Sequence, residues 1–166
     1  MDTLTMEQYR EHIAGLHNPR KAADTKPDKG KERSSAMQRQ AGEYAAVFLF
    51  GFFLYAMLEI AGRGYTHWTM GILGGAALMY LYSMEQRLRD PLWMRALLGG
   101  LFVTSAEFTA GVIDNVIMGW AVWDYTDRAF NFRGLICPLF SVLWVLLCIP
   151  GSLLCRRLNR QYHPAH

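Results

Sequence analysis

The sequence predicts an all-α integral membrane protein, with four transmembrane helices behind a cytoplasmic N-terminal tail. Three observations carry this. The 166 residues divide by composition into a polar segment, 1–42, and an apolar one, 43–166. The first holds 14 charged residues and a single aromatic, Tyr9, whereas the second holds 21 of the 22 aromatics and 17 charges in 124 residues. Four stretches of the second segment reach the roughly 17–20 mostly apolar residues that a bilayer core requires. With four spans, 14 Lys and Arg fall on one side and 3 on the other, and the positive-inside rule puts both termini in the cytoplasm.

The tail comes first. Met6, Tyr9, Ile13 and Leu16 are spaced 3, 4 and 3, and Asn18-Pro19 ends the pattern, which predicts a short amphipathic helix over 3–17. Residues 20–40 carry Lys, Asp, Gly, Ser and Gln with almost no apolar content, and read as a basic linker beside anionic lipid. A nucleic-acid partner is not expected, because the tail nets only +2 and has one aromatic. No cleavable signal peptide is visible, since the first apolar run starts after 43 residues.

The first span is predicted from Tyr44 to Ala61, where Ala45–Leu58 gives 14 uncharged residues with no amphipathic period. The second runs from Trp68 to Met84. Its Gly71-x-x-x-Gly75 spacing makes a small-residue face that packs within the bundle or between subunits of a homo-oligomer. The third runs from Leu92 to Ile113, and the fourth from Leu135 to Cys155. Trp68, Trp93, Trp120 and Trp123 lie near span ends, where interfacial belts form. Cys137, Cys148 and Cys155 all fall in the fourth span and share one helix face, as small packing residues rather than a disulfide framework.

Carboxylates inside apolar spans are costly and point to a role. Glu59 stands near the outer end of the first span. Glu107 lies about 22 Å along the third, at 1.5 Å per residue. Both therefore belong to the outer half of the bilayer. Gly100, Thr104, Glu107, Gly111 and Asp114 follow each other at 4, 3, 4 and 3 residues, so they share one face, with Asn115 beside them. Two readings stand. The acids form an outward-side binding site for a substrate, ion or proton, or they are buried carboxyls bonded to neighbouring donors or to Arg63, Arg128 or Arg133.

Residues 116–134 join the third and fourth spans and are too apolar for an ordinary exposed loop. They are expected in the outer interface or folded back onto the body. Trp123-Asp124-Tyr125-Thr126 sets aromatic anchors beside a carboxylate, with Asp124 placed to form an Asx-type turn. Glu59, Glu107, Asp114, Asn115, Trp123, Asp124, Tyr125 and Asn131 are the candidate binding residues. Gly71, Gly75, Gly100 and Gly111 are the candidate packing residues.

Several motifs in this region resemble a known family. Glu107-Phe-Thr-Ala-Gly111, Trp123-Asp124-Tyr125-Thr126, Asn131-Phe-Arg-Gly134-Leu-Ile-Cys137, then Ser141 and Trp144, are similar to the motifs of the type IV ABC-transporter permease, or CmpB-like, family, which includes a small animal transmembrane protein family. Glu59 matches that family's glutamate at the end of the first helix. The resemblance covers about 44–151, with Thr126 where the family has Ser and Pro138 where it has Leu. It implies an integral membrane protein of a few helices, with a transport role.

The sequence itself bounds that role. No Gly-x-x-x-x-Gly-Lys-Ser/Thr loop is present, so any ATPase is expected to be a separate subunit. No metal or cofactor is expected, because His12, His17, His163 and His166 fall on the cytoplasmic side and only His67 lies outside. No catalytic set is apparent, and the chain is not expected to be an enzyme. The expected function is a multi-pass, permease-like component of a transport system in the cell membrane. A scaffold or lipid-binding protein is the alternative.

Overall fold

The computed structural model of the protein describes residues 5–7, 10, 29–87 and 90–163. The amphipathic helix expected over 3–17 therefore lies largely outside the described residues, as do residues 20–28 of the expected linker. The chain divides into Met1–Gln40 and Ala41–His166.

Among the described residues the fold is helical, with no strands. The elements are α1 (Lys29–Arg63), α2 (Trp68–Arg87), α3 (Leu92–Gly111), a π-helical turn (Val112–Ile117) that continues α3, and α4 (Pro138–Tyr162). Three helical stretches are long and apolar enough to cross a membrane: Lys29–Arg63, Leu92–Ile117 and Pro138–Tyr162. The 20-residue α2 is not among them, because its polar Glu85-Gln86-Arg87 end, with its glycines and tyrosines, dilutes its apolar content.

Two boundaries differ from those predicted. Residues 29–40 are helical rather than linker. Their Lys, Glu, Arg, Met and Gln are good helix formers, and low hydrophobicity had hidden that. At the other end of the chain, α4 starts at Pro138, not Leu135. Pro138 takes the first helical position, where its missing N–H costs nothing, so Leu135–Cys137 joins the loop. Cys137 thus precedes the fourth helix instead of sharing a face with Cys148 and Cys155. All three cysteines are buried and free.

Side-chain contacts fix an up-down-up-down order within residues 41–166. Glycines set the spacing between α1 and α2. A Cβ on Gly71 would sit 2.5 Å from the Phe52 ring, one on Gly74 2.2 Å from Tyr55 Cβ, and one on Gly75 2.7 Å from the Phe48 ring. The Gly71-Gly75 face therefore packs against α1 of the same chain. Gly51 answers from α1, where a Cβ would meet the Gly74 carbonyl at 2.6 Å. Tyr80 stacks on Phe102 between α2 and α3, with centroids 4.2 Å apart. Gly100 brings α3 onto the Val145 backbone of α4.

The surface is inside out for a water-soluble domain. Phe53, Met57, Leu101, Leu139 and Val142 are exposed, while Glu43, Thr69, Arg95, Glu107, Asp114 and Ser152 are buried. Apolar exposure on this scale marks a lipid-facing surface. The principal core cluster gathers Val47, Leu78, Leu81, Tyr82, Ala96, Cys148 and Cys155 near the end of the bundle that holds the start of residues 41–166 and the end of α4. A smaller one, Met70, Val122 and Trp123, lies at the opposite, loop end.

Candidate functional site

Glu107 is the centre of the loop end. It is 4% exposed and stands on α3 four residues before Gly111. Its Oε1 accepts a hydrogen bond from the Tyr125 hydroxyl at 2.8 Å, and its Oε2 accepts one from Trp144 Nε1 at 2.8 Å. Tyr125 comes from the loop after α3, and Trp144 from α4. Burial first, and the nearby Glu107 carboxyl second, raise the Tyr125 phenol above its ordinary pKa. That keeps the phenol a hydrogen-bond donor. Tyr125 also stacks on Phe140, with centroids 4.6 Å apart.

Glu59 occupies a separate, more accessible group. Its Oε2 pairs with Arg63 at 2.5 Å and accepts from Thr66 Oγ1 at 3.3 Å. Arg63 Nη1 also donates to the Val122 carbonyl at 3.4 Å, which ties α1 to the loop. Tyr55 bridges the two acids. Its hydroxyl donates to Glu59 Oε1 at 3.5 Å, and its ring lies 5.7 Å from that of Trp144, the donor to Glu107.

The remaining sequence candidates build the loop. Asn115 clamps it, donating from Nδ2 to the Trp123 carbonyl at 2.6 Å and accepting the Val122 amide on Oδ1 at 2.8 Å. Trp123 is buried, not interfacial as its place near a span end suggested. Its Nε1 donates to the Leu135 carbonyl at 2.9 Å, and its ring would lie 3.0 Å from a Cβ on Gly111. A side chain at Gly111 would therefore press directly on the loop. Asp124 forms an Asx turn, accepting the Thr126 amide at 2.9 Å and the Thr126 hydroxyl at 3.0 Å. Asn131 closes the next turn, donating to the Thr126 and Arg128 carbonyls and accepting the Gly134 amide. Gly134 has φ +70°, and a Cβ there would sit 2.6 Å from Asp124 Oδ1. Asp124 and Asn131 are thus turn builders at the exposed edge of the loop. Asp114 is 3% exposed in the π turn, and its Oδ2 has no hydrogen-bond partner.

A cavity of about 220 Å³ opens beside Glu107. Its walls come from all four helices and are almost wholly apolar. Glu107, Tyr55 and Trp144 are the lining residues with polar side-chain N or O atoms, and the last two bring the aromatic rings. Gly51, Gly74 and Gly151 are among its walls, and the exposed Leu54, Leu58 and Leu147 also line it.

A second polar network, missed in the sequence, lies at the opposite end. The buried Glu43 accepts a hydrogen bond from the Tyr82 hydroxyl and pairs with His163 Nε2 at 3.1 Å. Tyr44 donates to Gln86 Oε1 at 3.0 Å. Beside them Arg95 is ion-paired with Glu85. Partners as distant as residues 43 and 163 leave no local spacing to read.

Residues 52–161 match the family model described as "Putative ABC-transporter type IV". The chain belongs to this family. No curated protein and no solved structure matches it. The matched span includes α2, α3 and all but the last residue of α4, with Glu59 and the Glu107 donors Tyr125 and Trp144. Family membership and three bilayer-length helices make this type IV family member a transport-related membrane protein.

Proposed function

We propose that the chain is the permease-like, non-enzymatic component of a transport system in the cell membrane, working with a separate ATPase subunit. Its binding site is the Glu107 end of the cavity. One observation carries this reading: a buried carboxyl, oriented by two side-chain donors from different elements, forms part of the wall of an apolar cavity. Cavities with a few convergent polar groups are where small ligands bind. Glu59, paired with Arg63 at the loop end, lies outside the cavity lining and is read as a structural ion pair rather than a ligand.

The reading includes four spans with both termini in the cytoplasm. The 14-to-3 split of basic residues supports it. So does the length of α2, whose 20 residues extend about 30 Å. Packing excuses its modest hydropathy, because Gly71, Gly74, Gly75, Leu78 and Tyr82 are buried against neighbouring helices rather than facing lipid. Four helices are few for alternating access, so the working unit is a homo-oligomer.

The test is affinity purification of the full chain from its native membranes, followed by ATPase assay of the complex. A stoichiometric P-loop ATPase whose turnover falls with Glu107→Gln supports the reading. Recovery of lipid alone, with no nucleotide hydrolysis, favours the scaffold or lipid-binding alternative.

A further inference from the structure

We infer that the cavity beside Glu107 binds a single-chain alkylammonium ion drawn from the bilayer. The inference rests on the reading of Glu107 as the polar end of a binding site, and it adds the class of ligand.

The head group follows from the acceptor capacity of Glu107 and from the charge that a bound cation would stabilise on it. Glu107 is buried, yet both its hydrogen-bond partners, Tyr125 and Trp144, are neutral donors. Glu59 has an arginine at 2.5 Å, and among the described residues no Lys or Arg lines the cavity. A carboxylate offers about four acceptor positions, and the two donors occupy one on each oxygen. The capacity left over belongs to a carboxyl in the cavity wall. Two aromatic rings, Tyr55 and Trp144, stand in the same wall with centroids 5.7 Å apart. An acid beside two aromatic faces is the surrounding that organic ammonium groups select. An anion would meet Glu107 unfavourably and find no basic partner in the wall.

The tail follows from the rest of the cavity. Beyond the Glu107 end the walls are apolar, with Leu54, Leu73, Ala77, Leu81, Val103 and Leu147 among them. The volume, about 220 Å³, exceeds the roughly 150 Å³ of a cavity that takes benzene. It suits one alkyl chain, not the two of a phospholipid. Exposed leucines from α1 and α4 line the cavity, on the surface that faces lipid, so the ligand enters from the membrane.

The experiment is equilibrium binding of radiolabelled decylammonium to the full chain in maltoside micelles, with protein-free micelles as blank. Decanol, decanoate and phosphatidylethanolamine serve as competitors. Saturable binding is expected, with the cation at least tenfold tighter than decanol and decanoate. Glu107→Gln should weaken it at least tenfold while the melting temperature stays close to that of the parent. Ala77→Leu, which narrows the cavity and leaves the acid untouched, should also weaken it. Equal competition by decanol, or undiminished binding to Glu107→Gln, overturns the inference. Tighter binding of phosphatidylethanolamine than of the probe overturns the single-chain assignment. Should Glu107→Gln fail to fold, undiminished binding to Ala77→Leu overturns the inference. A chain that recruits an ATPase but binds no cation loses this inference alone. One that binds the cation but recruits no ATPase loses the transport reading alone.

Discussion

Replacing Gly100 with alanine should destabilise the protein, whereas the same change at Gly42 should stabilise it. Both positions are helical, so each gains about 1 kcal/mol of backbone preference from a Cβ. Their surroundings decide the sign. At Gly42 nothing lies within 4 Å of the added atom. At Gly100 it would meet Val145 Cγ2 at 2.3 Å and, more seriously, Val145 N and Cα at 2.9 Å. A methyl can rotate away, but two backbone atoms cannot, so α3 and α4 must part. A separation of ~0.5 Å forfeits about a quarter of the dispersion energy of each affected contact. Overpacking of this kind costs about 1–3 kcal/mol, and backbone clashes belong at the upper end. The net expectation is a loss of about 2 kcal/mol at Gly100 and a gain of about 1 kcal/mol at Gly42. For a chain of this size that corresponds to a melting temperature about 4–8 °C lower and 2–4 °C higher respectively. Thermal unfolding of both variants in the same detergent measures it. If Gly100→Ala melts as high as Gly42→Ala, the close contact between α3 and α4 does not exist in the protein.

Glu107→Ala strands the Tyr125 hydroxyl and the Trp144 indole N–H, at about 1–3 kcal/mol per group, so it should melt well below Glu107→Gln, which keeps an acceptor; equal melting would remove the case for a hydrogen-bonded Glu107. Asn115→Ala deletes two bonds to the loop and should speed proteolysis within 116–134, leaving the rest of the chain resistant; an unchanged digestion pattern would count against the clamp. A cysteine introduced at residue 30 should resist a membrane-impermeant thiol reagent in intact cells, and one at Arg128 should react; the reverse pattern inverts the topology. Deletion of residues 1–40 should leave membrane insertion intact, measured by carbonate extraction, and failure to insert would assign the tail a role in targeting.

What could be read in the sequence was what depends on neighbours a few residues away. Helix positions followed from long apolar runs, and the small-residue face of α2 from its Gly71-Gly75 spacing. Glu107 drew notice because an acid in an apolar run is costly whatever surrounds it. Its partner Trp144 stood in the family motif without a role, since 37 residues separate the two. The terminal-end network was invisible for the same reason. Glu43 sat at the border of the tail, and Arg95 counted only toward orientation. Burial converted both into structural groups, and burial is a property of the assembled helices. Trp123 illustrates the opposite error. A tryptophan near a span end suggests an interface, but its indole N–H found the Leu135 carbonyl once the loop folded back.

The π turn at Val112–Ile117 carries one more residue than an α-helical path between the same endpoints would need. That surplus sets the angular phase of everything downstream. Deleting one residue there would let the turn relax to α geometry between those endpoints, whereas an α-helical turn that kept all six residues would swing the following chain by about 100° around the axis. Asn115 would then face away from the Val122 amide, and Tyr125 would no longer arrive over Glu107. The reach of the loop to its acid is therefore a matter of counting as much as of chemistry. A single-residue deletion between Val112 and Ile117 should therefore be better tolerated than a single-residue insertion, a contrast that a length-variant library would expose directly.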